Sequence, residues 1–136
     1  MFGASQAQEG TLMKPCNLDL PSETCRSVGD VLARVGDKWA VFIILLLREG
    51  SLRFSELQKR IGPISKKMLT LTLRGLERDG YLTRTVTPSI PPRVDYELTE
   101  MGRDVMSPLN ALAAWALARR EQVEAARAAY DARYSA

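Results

Sequence analysis

Residues 55–80 read SELQKRIGPISKKMLTLTLRGLERDG, and the fold turns on how this stretch divides. Proline cannot continue the helix before it and glycine relaxes a turn, so Gly62-Pro63-Ile64 splits the stretch into two helices. The first opens at Ser55, with Gln58 at the spacing of a capping box. The second is capped by Ser65 and stops at Gly80. Its Leu69, Leu73 and Leu76, spaced i, i+4 and i+7, mark a buried side. At about 100° per residue those leucines send Lys67, Thr70, Leu71, Arg74 and Arg78 to the opposite face. The pattern is a helix-turn-helix whose second helix turns a basic, polar-spaced flank to solvent.

Upstream, SVGDVLARVG, from Ser27 to Gly36, sets Val28, Val31, Leu32 and Val35 on one stripe and predicts a short first helix. Asp37 can cap a second helix, KWAVFIILLLRE, which is apolar on nearly every face, as expected of an element surrounded by others. Gly50 ends it. Downstream, the segments from Tyr81 to Val86 and from Val94 to Leu98 read as strands joined by TPSIPPR, a hairpin whose tip three prolines stiffen. Thr99 can cap a last helical region reaching about Tyr134, in which Pro108 either kinks the helix or starts a new one. The expected fold is mainly α with a small β-hairpin (α+β): a winged helix-turn-helix with extra N- and C-terminal dimerisation helices. Residues 1–22 mix Gly, Ser, Gln, Pro and Asn without a period and are expected to form a flexible arm. Residues 23–136 are expected to form the winged domain with its C-terminal dimerisation helix.

Composition narrows the function. The 136 residues carry a formal charge of +3 and a pI near 9.1, an excess that suits approach to a polyanion. There is no histidine, which removes the commonest general base and the mixed Cys/His zinc sites. No P-loop, GxGxxG or GxSxG motif is present, so neither an enzyme, a cofactor nor a metal is expected. The longest apolar run, Trp39 to Leu47, has nine residues, against the ~20 needed to span a bilayer. With no secretory signal read at its start either, a cytoplasmic location is expected, in which Cys16 and Cys25 would be reduced by default.

In a winged helix-turn-helix one helix enters the major groove and the hairpin reaches the flanking backbone, which makes double-stranded DNA the expected partner. An arginine fork such as that of Arg74 or Arg78 matches guanine, Thr70 donates or accepts, and Leu71 can meet a thymine methyl. Lys66 and Lys67, in the first turn, add charge to a helix end that already favours phosphate, and should position rather than specify. Arg84 and Arg93 flank the wing tip as candidate phosphate ligands. The competing view is that these cations form a solvated face on a winged-helix module that meets proteins or anionic surfaces without sequence preference. Two copies would present two reader helices ~34 Å apart to successive major grooves. Leu109, Leu112, Ala116, Val123 and Tyr130 recur at helical spacing and, with Val28 on the first helix, are the candidate seam of such a homodimer.

Cys25 followed by VGDKWAVFIILLLREGSLRFSEL, then ISKKMLTLTLRGLERDGYLTR, then PPRVDYELTEMG resembles the HxlR family of MarR-like bacterial regulators, from Cys25 to about Trp115. The resemblance implies a winged-helix homodimer that binds pseudo-palindromic operators and regulates transcription, here expected to repress. It carries over Ser65, Lys67, Thr70, Leu71 and Arg74 as reader positions and Arg93 as the wing position, with Leu71 standing where the family is expected to have a polar residue. It also implies an effector, an oxidant or a small molecule. Some relatives sense oxidants or electrophiles through a cysteine just before helix one, the place of Cys25. A helix N-terminus and Arg26 would favour its thiolate, and Cys16 is a candidate resolving partner.

Overall fold

The computed structural model describes residues 20–135. Helices α1 (Ser22–Val35), α2 (Lys38–Leu46), α3 (Phe54–Ile61) and α4 (Lys66–Arg78) come first. The hairpin of β1 (Leu82–Thr87) and β2 (Arg93–Leu98) follows, then a short α5 (Glu100–Asp104) and the long α6 (Met106–Tyr134). The expected winged helix-turn-helix is observed.

The core is organised around α2. Asp37 caps it, accepting from the backbone N–H groups of Trp39 and Ala40 at 3.1 and 3.2 Å, which satisfies two of the orphan donors of a helix start. Ala40, Ile43, Ile44 and Leu47 are fully buried, and Leu57 of α3, Leu69, Leu73 and Leu76 of α4, and Leu82 of β1 are packed in the same cluster. The helix is not apolar contact on every side, however: Phe42 is 46% exposed. A 3₁₀ turn, Leu47–Glu49, continues it to Gly50, whose φ of +149° and ψ of −178° are available only to glycine without strain. That conformation delivers Leu52 beside β2, where its N–H and carbonyl exchange hydrogen bonds with Tyr96 at 3.0 and 2.9 Å. No local pattern in the sequence signals this bridge, which fastens the wing's base to the segment before α3.

β1 and β2 are antiparallel, with Leu82 opposite Leu98, Arg84 opposite Tyr96 and Thr87 opposite Arg93. Leu82, Tyr96 and Leu98 are buried, so the hairpin is rooted in the core on one face, while its tip, residues 88–92, is exposed. Thr99 caps α5, accepting from Gly102 N–H at 3.1 Å. Pro108 falls in the first turn of α6, where its missing N–H costs no helical bond, so a new helix begins at Met106 instead of a kink.

Three boundaries differ from the sequence reading. α1 starts at Ser22, five residues before Ser27, because polar Ser22 to Thr24 carry no apolar period to betray a helix. Ser22, assigned to the arm from the sequence, therefore belongs to α1, and Cys25 lies inside the first turns of that helix, its N–H bonded to Pro21 O at 2.9 Å. α3 starts at Phe54, with the Glu56 carboxylate accepting from Arg53 N–H at 2.8 Å; Ser55 and Gln58 do not cap it. The Gln58 amide instead donates to Ile64 O at 3.4 Å across the helix-turn-helix bend.

Two glycines separate packing from propensity. A Cβ at Gly102 would collide with the backbone carbonyl of Tyr81 and crowd Leu98, whereas one at Gly29, on the exposed side of α1, would meet nothing within 4 Å. Gly102→Ala should therefore lose about 1–3 kcal/mol. Gly29→Ala should gain up to about 1 kcal/mol from helix propensity alone. Urea unfolding of the two variants measures both, and equal signs would contradict the close approach.

Candidate nucleic-acid interface

The bend between α3 and α4 is built from three local features. Gly62 adopts φ +90°, a region costly for other residues, and donates to Gln58 O at 2.9 Å. Ile64 is buried and anchors the turn. Ser65 takes the extended conformation and its hydroxyl accepts from Met68 N–H at 3.0 Å, which starts α4.

Leu69, Leu73, Leu76, Thr72 and Gly75 then face inward, with Thr72 Oγ1 donating back to Met68 O at 2.8 Å. The opposite flank holds the residues named from the sequence: Lys66, Lys67, Leu71, Arg74 and Arg78 are exposed and Thr70 is half-buried. Leu71 is 49% exposed and lies outside the core. Among the described residues, Lys66, Lys67 and Arg74 make no ion pair. Arg78 differs, lying 3.8 Å from Asp79 at the far end of the helix.

Charge placement on the two helices of the motif is opposite. In α3, Glu56 sits in the first turn and Lys59 and Arg60 in the last, which suits the helix dipole. In α4 the first turn holds Lys66 and Lys67 and no acid, with both cations at the positive end. That arrangement costs α4 stability and suits an external anion, because two exposed lysines adjoin the positive end of the helix.

The wing does not bring its two arginines together. Side chains alternate along a strand, and the register puts Arg84 with Leu82 and Val86 on one face and Arg93 with Asp95 on the other. Arg93 Nε donates to Asp95 at 3.1 and 3.3 Å, so its charge is partly compensated, while Arg84 has no ion-pair partner among the described residues. The tip between them offers Ile90, fully exposed, and Ser89, whose hydroxyl donates to Pro91 O at 2.7 Å.

Of the candidate seam, Leu112, Ala116, Val123 and Tyr130 are exposed along α6 and Val28 is half-buried on α1. Leu109 is not available: it is buried in the chain's own core, where it ties the start of α6 to α2. Periodicity alone could not separate it from the seam, since one stripe serves the core first and solvent afterwards. Trp115, 57% exposed and three residues from Leu112 on α6, was not among the candidate seam residues. Cys25 is disulfide-bonded and not the reduced thiol expected from the sequence; Cys16 lies outside the described residues. Among the described residues no cluster of three or more Cys, Asp or Glu could hold a metal, and no helix is long and apolar enough to cross a membrane.

Comparison with known proteins places this geometry. The family described as HxlR-like helix-turn-helix matches residues 34–124. The HTH-type transcriptional regulator YtfH of Escherichia coli (strain K12) is 42% identical over 112 residues, which is 82% of each chain. Among solved structures, the transcriptional regulator ytfH from Salmonella typhimurium superposes with a TM-score of 0.68 at 42% identity, covering 74% of this chain and 89% of that one. The redox regulator HypR in its reduced form superposes with a TM-score of 0.67 at 34% identity, covering 73% and 98%; HypR is also known in an oxidised form.

Proposed function

This chain belongs to the HxlR-like helix-turn-helix family, and we propose that it acts as a homodimeric, sequence-specific repressor that reads double-stranded DNA with α4. The observation that carries this reading is the exposed flank of α4: cations without ion-pair partners among the described residues, two of them placed against their own helix dipole. Such charge is poorly explained by folding and well explained by a phosphate partner. Ser65, Lys66 and Lys67 sit at the helix entry and set register on the backbone. Thr70, Leu71 and Arg74, further along the flank, meet base edges, Leu71 by contact with a thymine methyl. Arg78 is a peripheral phosphate contact, and Arg84 and Arg93 serve the wing from its two faces.

Support for a dimer comes from α6. Its 29 residues extend roughly 44 Å, and Leu109 is its one buried residue. Leu112, Trp115, Leu117 and Tyr130 are each more than half exposed, and Val31 and Leu32 of α1 add to the same class of surface. An apolar surface of that extent calls for a partner, and a second copy presents its match by symmetry.

An oxidant is the effector that the disulfide at Cys25 favours. Cys25 is held in a disulfide at the start of α1, and the similar HypR is known in both redox forms. Oxidation of the Cys25 thiol with a second thiol to the disulfide, the two electrons passing to the oxidant and two protons to solvent, would then alter the placement of α1 and the affinity for the operator.

Arg74→Ala should weaken binding to a duplex selected from genomic fragments and relax its sequence preference by about 1–3 kcal/mol. Arg93→Ala should weaken all duplexes alike. Anisotropy titrations at several salt concentrations measure both, and equal loss on every duplex from both variants, or no preference among duplexes in the parent, would favour the protein-interaction module instead. Leu112→Glu should convert a dimer to a monomer by analytical ultracentrifugation; a parent that sediments as a monomer refutes the seam. Cys25→Ser should lose any response of DNA binding to diamide, and a variant that responds as the parent does ends the redox reading.

A further inference from the structure

The reader helix hands over to the wing at a three-residue joint. Asp79 ends α4, Gly80 turns at φ +87°, and Tyr81 leads into β1. From one side Thr99 grips this joint, its hydroxyl donating to Gly80 O at 2.6 Å and its N–H to Tyr81 O at 3.1 Å. From the other side comes the last turn of α1, where Arg34 Nε donates to Asp79 Oδ2 at 2.8 Å. The Arg34 guanidinium lies over Gly75, where a Cβ would overlap it.

Gly75 of α4 and Asp79 at its C-cap are hard to explain by α4 alone. A carboxylate at a helix C-terminus faces the negative end of the dipole. A glycine in a helix interior forfeits the propensity of alanine. One arginine from another helix accounts for both, since Asp79 receives its charge and Gly75 gives it room. Arg78, more distant and 83% exposed, is the lesser partner. α1 has little other hold on the chain, for Val35 is its one buried residue and Val31 and Leu32 are half or more exposed.

We propose that Arg34 is a positioning residue for DNA binding: seated on Gly75 and bonded to Asp79, it fixes the joint from which α4 and the wing depart, and so sets their relative pitch. This rests on the DNA reading given above. Arg34 itself touches no nucleic acid. α1, which carries Cys25 near its start and Arg34 near its end, thereby becomes a lever on the reader helix.

The test uses Arg34→Ala, Gly75→Ala, which keeps both charges and removes the seat, and the double variant Arg34→Ala/Asp79→Asn. Hydrogen–deuterium exchange without DNA should show faster exchange of the amides from Asp79 to Leu82 in both single variants, with α2 amides unchanged. Affinity for a fluorescein-labelled duplex selected by the parent should fall about tenfold in Arg34→Ala. The slope of log affinity against log salt should stay that of the parent. The double variant should bind no worse than Arg34→Ala. Unchanged exchange at the joint in Arg34→Ala overturns the proposal, and so does a slope lowered by about one, which would make Arg34 a phosphate ligand. A parent that binds no duplex overturns the DNA reading instead, and the exchange measurement, needing no DNA, separates the two failures.

Discussion

Burial of the inner side of α4 against α2 is the constraint on which the rest depends. Leu69, Leu73 and Leu76 are almost wholly removed from solvent among Ile43, Ile44 and Leu47. Removing one such leucine typically costs about 2–5 kcal/mol, against a total stability of about 5–15 kcal/mol for a small domain. Because a helix has two sides, fixing one fixes the other. Core burial therefore determines which residues of α4 are offered to solvent, and the surface chemistry follows from the packing without any further device.

That surface is arranged against the interest of the helix that carries it. Stability alone would place acids at the start of α4, as Glu56 is placed at the start of α3. The neighbouring helix shows that this chain follows the dipole rule where nothing opposes it. Departures concentrated on one element of a motif mark the element whose form answers to something outside the chain.

Features with a local cause were legible in the sequence. Asp37, Ser65 and Thr99 cap their helices as short oxygen-bearing side chains do, and the Gly62-Pro63 break divides α3 from α4. What failed needed information from outside the segment. Ser55 and Gln58 satisfy the capping-box spacing, yet Glu56 reaches Arg53 N–H and α3 starts earlier. The first turns of α1 are polar and left no period to follow. Arg84 and Arg93 looked alike until the register set them on opposite faces, one of them beside Asp95. Leu109 and Leu112 share a stripe, but the core ends between them, and only the three-dimensional position of α2 says where.

The core's reach also sets what α6 can be. A helix of this length buried over its whole course would need apolar residues on several sides, and this one returns to arginine, glutamate and glutamine between its apolar positions. Past Leu109 the helix has left its own domain, yet Leu112, Trp115, Val123 and Tyr130 remain apolar or aromatic at helical spacing. Charge on the other sides keeps that surface in water while the stripe stays narrow. The pattern fits a seam that closes against a second chain better than it fits a core, since a seam needs one covered face and a core needs several. The same geometry would tie α4 to such a second chain: α6 leaves α2 at Leu109, α2 seats α4, and a second copy docked on α6 would hold both copies of α4 at one spacing.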